Sequence, residues 1–91
     1  MEAESIPDIF KDEQYYYALK FISSKDYVIV LEDVNHVAVY TEDKGQYKVK
    51  VADGSTVIYF TNKDRTYSSK YDANTNEIYG ETVGGTYIKQ P

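Results

Sequence analysis

Gln46-Tyr47-Lys48-Val49-Lys50-Val51-Ala52-Asp53-Gly54-Ser55-Thr56-Val57-Ile58-Tyr59-Phe60-Thr61 is the stretch that decides the fold. Its first seven residues alternate, with Tyr47, Val49 and Val51 on one face and Gln46, Lys48 and Lys50 on the other. A period of two marks a strand with one face buried and one wet. Asp53-Gly54 follows, a pair suited to a two-residue hairpin turn because both central residues there need positive φ. The second run, 56–61, is rich in β-branched and aromatic side chains, which fit a pleated surface. The stretch therefore reads as a β-hairpin.

The same pattern recurs outward from it. Turn clusters rich in Ser, Asp, Asn and Gly lie at 23–26, 32–35, 43–45, 62–64, 72–76 and 84–85. Each has a local mechanism, since Gly supplies positive φ and Asx side chains bond their own backbone. Asp43-Lys44-Gly45 fits a type I turn with a glycine bulge, and 83–86 fits a second two-residue hairpin. Strand-like runs at 27–32, 36–42, 46–52, 56–61, 65–71, 77–83 and 86–89 lie between the turns. Short strands at this spacing predict a mainly β, antiparallel meander of about six to seven strands, as a bent sheet, small sandwich or barrel. Residues 27–31 are apolar on both faces, as in a central, doubly covered strand. Runs 65–71 and 77–83 offer mainly Tyr, Ser and Thr and fit an edge or a wet face.

The N-terminal part reads differently. Ser5-Ile6-Pro7-Asp8 resembles a helix start, and Ile6, Ile9, Phe10, Tyr17 and Phe21 share a helical stripe. The spacing favours one helix over 7–22, making the single domain 1–91 a β-rich α+β chain. The alternative is a short helical turn followed by a strand from Tyr15, because Tyr15, Tyr17, Leu19 and Phe21 also alternate.

Composition agrees with strands. The apolar set holds nine Val, seven Ile, eleven Tyr and only two Leu, so Tyr rings must help fill the core. With no cysteine there is no disulfide, thiolate metal site or thiol nucleophile. No apolar run approaches the roughly 20 residues of a membrane-crossing helix. The acidic N-terminus is not a signal peptide as written, so a cytoplasmic setting is expected, or an exported one had a leader been removed.

Tyr27, Tyr47, Tyr67 and Tyr87 stand twenty residues apart, and Tyr40, Tyr59 and Tyr79 follow at nearly the same interval. Either they occupy similar places in successive hairpins, or regular strand lengths combine with frequent Tyr; the flanking residues do not repeat. The eight residues from Tyr71 to Ile78 resemble the YD repeats of large bacterial surface proteins, without the usual glycine, and no function is carried over.

Few residues suggest chemistry. The single histidine, His36, flanks a turn, and no motif supplies it with a nucleophile and an orienting acid. Asp72, Asn74 and Asn76 are spaced like the first ligands of a calcium loop, but the sixth and twelfth positions hold Glu77 and Val83 instead of Gly and Glu. They are a weak metal candidate, and an Asx-rich turn explains them. Acid pairs at Asp12-Glu13, Glu32-Asp33 and Glu42-Asp43 lack the cleft that tunes a glycosidase carboxyl. No cofactor is expected, and no enzyme.

Charge is asymmetric. The chain carries a net -5, resolved as -7 over residues 1–43 and +2 over 44–91. An acidic surface steers a basic partner. Nucleic-acid binding is disfavoured, since the three bases Lys63, Arg65 and Lys70 beside Tyr67 and Tyr71 are few for the purpose. Tyr67, Tyr71 and Tyr79 could instead form a flat platform. The leading expectation is a non-enzymatic protein-binding or inhibitory module, like phage or plasmid inhibitors and immunity proteins in size. Its surface would comprise Asp12, Glu13, Glu32, Asp33, Glu42, Asp43, Tyr67, Tyr71 and Tyr79, and its partner would be a protein, with the acidic charge favouring a basic one. A structural or glycan-binding module of an exported bacterial surface protein is the alternative. The chain would be a monomer or an edge-paired homodimer, without membrane insertion.

Overall fold

The computed structural model describes residues 9–14, 16–82 and 85–90. They form eight strands: β1 (Ile9–Asp12), β2 (Tyr17–Phe21), β3 (Asp26–Glu32), β4 (Ala38–Ala52), β5 (Ser55–Thr61), β6 (Thr66–Asp72), β7 (Glu77–Gly80) and β8 (Tyr87–Lys89). Each runs antiparallel to the next, and β8 returns to β1, where Phe10, Lys11 and Asp12 face Lys89, Ile88 and Tyr87. The meander is a closed barrel. Asp53 and Gly54 both have positive φ, 53° and 78°, between the paired Ala52 and Ser55, as the hairpin turn requires.

The helix expected over 7–22 is not there: among the described residues this stretch is β1, a turn and β2. Residues 7, 8 and 15 lie outside the described set, as do 83 and 84 of the proposed second two-residue hairpin. Alternation won over the helical stripe because Tyr17, Leu19 and Phe21 join the barrel interior, with β2 paired on both sides. Asp12 secures the reversal, its Oδ1 accepting the backbone N–H groups of Tyr16 and Tyr17 at 2.8 and 3.0 Å.

The expected turn at 43–45 is also absent, and 36–42 and 46–52 merge into the fifteen-residue β4. β4 changes partner midway, pairing with β3 up to Gln46 and with β5 from Gln46 onward. Gly45 sits at this handover, where a Cβ would run into the backbone carbonyl of Thr61. The glycine serves a close approach of two chains rather than a turn. Two bulges precede it. Ile29 faces Asp43 while Val30 faces Thr41, leaving Glu42 extra; Leu31 faces Tyr40 while Glu32 faces Ala38, leaving Val39 extra.

Aromatic side chains fill the interior, which explains a core short of Leu. Phe10, Leu19, Phe21, Tyr27, Ile29, Ile58, Phe60, Tyr67, Ile78 and Tyr87 are buried together. The Phe60 ring meets Tyr27 edge-on at 4.8 Å and stacks on Tyr67 at 5.1 Å. Phe21 packs on Tyr47 at 4.6 Å, and Phe10 meets Phe21 and Tyr71 edge-on. An eight-stranded barrel has an interior just wide enough for such filling.

Candidate functional site

The first bulge of β4 aims Asp43 at the barrel interior. Its Oδ2 accepts the hydroxyls of Tyr27 at 2.7 Å and Tyr67 at 2.6 Å, and its Oδ1 accepts the Asn62 amide at 2.9 Å. β3, β4, β6 and the β5–β6 turn are thus tied at one carboxylate. Asn62 also receives the backbone N–H groups of Asp64 and Arg65, which fixes that turn. Burial is the main cause that holds the Tyr27 and Tyr67 hydroxyls well above the ordinary tyrosine range, and the Asp43 charge adds to it.

A groove opens beside this knot. One lobe, about 370 Å³, is lined by Thr41, Glu42, Asp43 and Lys44 of β4 and by Asn62, Lys63 and Asp64 of the β5–β6 turn. The adjoining lobe, about 310 Å³, adds Arg65, Tyr67 and Glu81. The carboxylates of Glu42, Asp43, Asp64 and Glu81 thus stand among Lys44, Lys63 and Arg65, so the groove is of mixed charge. Arg65 lies over the Tyr67 ring at 4.6 Å.

The far end of the β3–β4 hairpin, next to the groove, is exposed. Among the described residues, 38–44 pair with β3 alone, because β5 joins β4 only from Gln46. The far edge is therefore open. Apolar side chains gather here: Val34 is 92% exposed, Tyr40 61%, and Val37, Val39 and Tyr16 more than half. Asp33 shapes the tip, accepting the N–H groups of Asn35 and Val37, and His36 takes a positive φ of 63°.

The structure does not gather the acids that the sequence suggested as one surface. Asp12 is buried and occupied by the β1–β2 turn, and Glu13 is exposed in that turn. Glu32 is buried on the outer wall, where Lys11 lies at 3.0 Å, Lys20 at 3.6 Å and His36 at 3.9 Å. Asp33 caps the hairpin tip. Only Glu42 and Asp43 come together, in the groove. Asp72 accepts the N–H of Asn74, and Asn76, at φ 57°, accepts the Tyr71 hydroxyl, so these three residues build the β6–β7 turn.

The tyrosines sort by face. Tyr67 is buried and Tyr71 packs against the core, so two of the three platform rings point inward; Tyr79 is 41% exposed on the outer wall. Tyr87 is fully buried, with its hydroxyl raised by burial and by the nearby Asp12 charge. On the outer wall of β5–β7 the exposed rings are Tyr59 and Tyr79; Tyr16 and Tyr40 are exposed beside the β3–β4 hairpin. The open edge was missed in the sequence because Gly45 suggested a turn; the signal for it was the long run of strand formers from Val37 to Ala52, broken only by Glu42–Gly45. Comparison of the chain with protein-family models, with curated proteins and with solved structures gave no match.

Proposed function

We propose that the protein is a non-enzymatic binding module that takes an extended, apolar segment of a partner protein onto the open edge of β4. The observation that carries this is the half-paired strand 38–44, whose free edge is flanked by exposed Val37, Val39 and Tyr40. An unpaired edge is a template for another strand, with main-chain bonds giving affinity and alternate side chains giving selectivity. The Asp43 knot supports the same reading, since a strand held rigid before binding loses less entropy on complex formation. The mixed groove below offers both charge signs to the partner's polar side chains. A captured segment is withheld from its other contacts, which is how such a module would inhibit.

The test uses a synthetic peptide that alternates Val and Thr, followed by backbone amide NMR shifts. Binding is expected to move residues 38–44, and Val39→Lys with Tyr40→Lys to abolish it, because lysines on an edge oppose strand addition. Shifts confined to the rest of the barrel, or binding that survives both substitutions, would overturn the reading. Sedimentation of the free protein separates the case in which a second copy occupies the edge.

A further inference from the structure

We propose that the outer face of β4–β7 is a binding site for single-stranded nucleic acid, formed by Lys48, Lys50 and Lys70 around the exposed rings of Tyr59 and Tyr79. Register places these side chains together. Lys48 faces Tyr59 across β4–β5, and Lys50 faces Val57, which faces Lys70, which faces Tyr79. All lie on the wall opposite to the inward Tyr47, Ile58, Tyr67 and Ile78. Tyr59 is 39% exposed and Tyr79 41%, and the three lysines are exposed. Among the described residues the ion pairs all converge on Glu32, so Lys48, Lys50 and Lys70 remain uncommitted.

Two shallow hollows flank Tyr59. One, about 500 Å³, is lined by Lys25, Gln46, Tyr47, Lys48, Thr61 and Thr66 and has no acidic wall. The other, about 410 Å³, runs past Val57, Ser68 and Lys70 to Tyr79. Its one acid, Glu81, already accepts the Ser68 N–H at 3.0 Å. Rings lying on a wall with cations between them match a strand of stacked bases and phosphates, because any base has a π-face and any phosphate a charge. Asp72 and Glu77, paired one step beyond Lys70 and Tyr79 on the same face, bound the site at that end. The net charge of -5 does not forbid binding, since charges separated by more than about 8–10 Å are largely screened at physiological salt. The residues differ from the Lys63, Arg65, Tyr67 and Tyr71 group of the sequence, because the two rings of that group face inward.

The experiment measures fluorescence anisotropy of a labelled oligothymidylate against the full chain at several salt concentrations. Three phosphate contacts give an expected slope of log K against log salt of about -2. Tyr59→Ala and Tyr79→Ala should each weaken binding by about tenfold, while Tyr59→Phe, which keeps the ring, should bind as the native chain does. Lys50→Glu and Lys70→Glu, both at exposed positions that leave the core intact, should flatten the slope. Absence of saturable binding at low salt would overturn the proposal. So would equal binding of heparin oligosaccharide or duplex DNA with no loss in the tyrosine variants, which would assign the face to polyanions in general.

Discussion

The Tyr67 hydroxyl donates to Oδ2 of Asp43 at 2.6 Å, which ties β6 to β4 just before β4 changes partner from β3 to β5. Tyr27 shares the same oxygen at 2.7 Å. Asp43→Ala would leave two inward hydroxyls without their acceptor, at a cost of roughly 1–3 kcal/mol each, not additive. Urea unfolding should show a total loss of about 3 kcal/mol, and Asp43→Asn, which keeps one acceptor, a smaller loss. A neutral Asp43→Ala would show that the knot does not anchor β4.

The same hydroxyls make the fold sensitive to alkali. Burial, joined by Asp43 for Tyr27 and Tyr67 and by Asp12 for Tyr87, raises all three folded-state pKa values. A raised folded pKa means the folded state holds its proton more tightly. The stability it contributes is complete below the unfolded value of about 10 and is lost as pH rises above it. Tyrosinate absorbance and far-ultraviolet circular dichroism should therefore change together in the last part of an alkaline titration. Full ionisation of all eleven tyrosines with the dichroism intact would contradict this.

Gly45 should be the least replaceable glycine among those described. A Cβ there meets the Thr61 backbone, whereas at Gly54 it meets open space and only the positive φ opposes it. Gly45→Ala is expected to cost about 1–3 kcal/mol through forced backbone movement. It should also reduce hydrogen-exchange protection on both sides of Gln46. Gly54→Ala should cost about 1–2 kcal/mol and leave β4 protection unchanged. The reverse order would mean that β4 does not need the close approach.

Glu32 tests the outer wall. Among the described residues, removing it leaves Lys11, whose side chain is 15% exposed, without a counter-charge and with only the His36 Nδ1 at 3.3 Å. Loss of one partner from a fully buried pair costs about 3–5 kcal/mol, so Glu32→Ala here should cost less, roughly 2 kcal/mol. Lys11→Met combined with Glu32→Leu should recover most of it. Thermal unfolding of the two single variants and the double variant completes the cycle.

Much of the barrel was legible in the local sequence. Alternation at 46–52 and the Asp53-Gly54 turn specify the β4–β5 hairpin. Tyr27, Tyr47, Tyr67 and Tyr87, twenty residues apart, all face the interior, although the sequence left the meaning of that spacing open and suggested Tyr67 as a surface ring. Tyr40, Tyr59 and Tyr79, the second series, are all exposed. What was hidden depends on partners distant in sequence. Gly45 signals a turn until Thr61 is known to press against it, and Phe10 and Tyr17 signal a helix until β8 and β3 are known to flank them. The acid pairs looked like a surface because sequence does not show which carboxylates are spent on backbone N–H groups or lysines. The serine- and tyrosine-rich run 65–71 looked wet because only register reveals that Tyr67 and Tyr71 share the inner face with Ile58 and Phe60.

Barrel closure rests on its shortest strand. β8 has three residues, Tyr87–Lys89, and is held between β7 and β1. Tyr87 is fully buried whereas its neighbour Ile88 is 36% exposed on the outer wall. Closure therefore depends on one ring. Tyr87→Ala removes it and should cost about 3–5 kcal/mol, in the range of large aromatic truncations in a core. Ile88→Ala removes an outward side chain and should stay near 0.5 kcal/mol. Because β1 loses its second neighbour when β8 detaches, the Tyr87 variant should show faster amide exchange in both β1 and β8 while β4–β6 stay protected. Uniform acceleration across all strands would show instead that the barrel opens only as a whole.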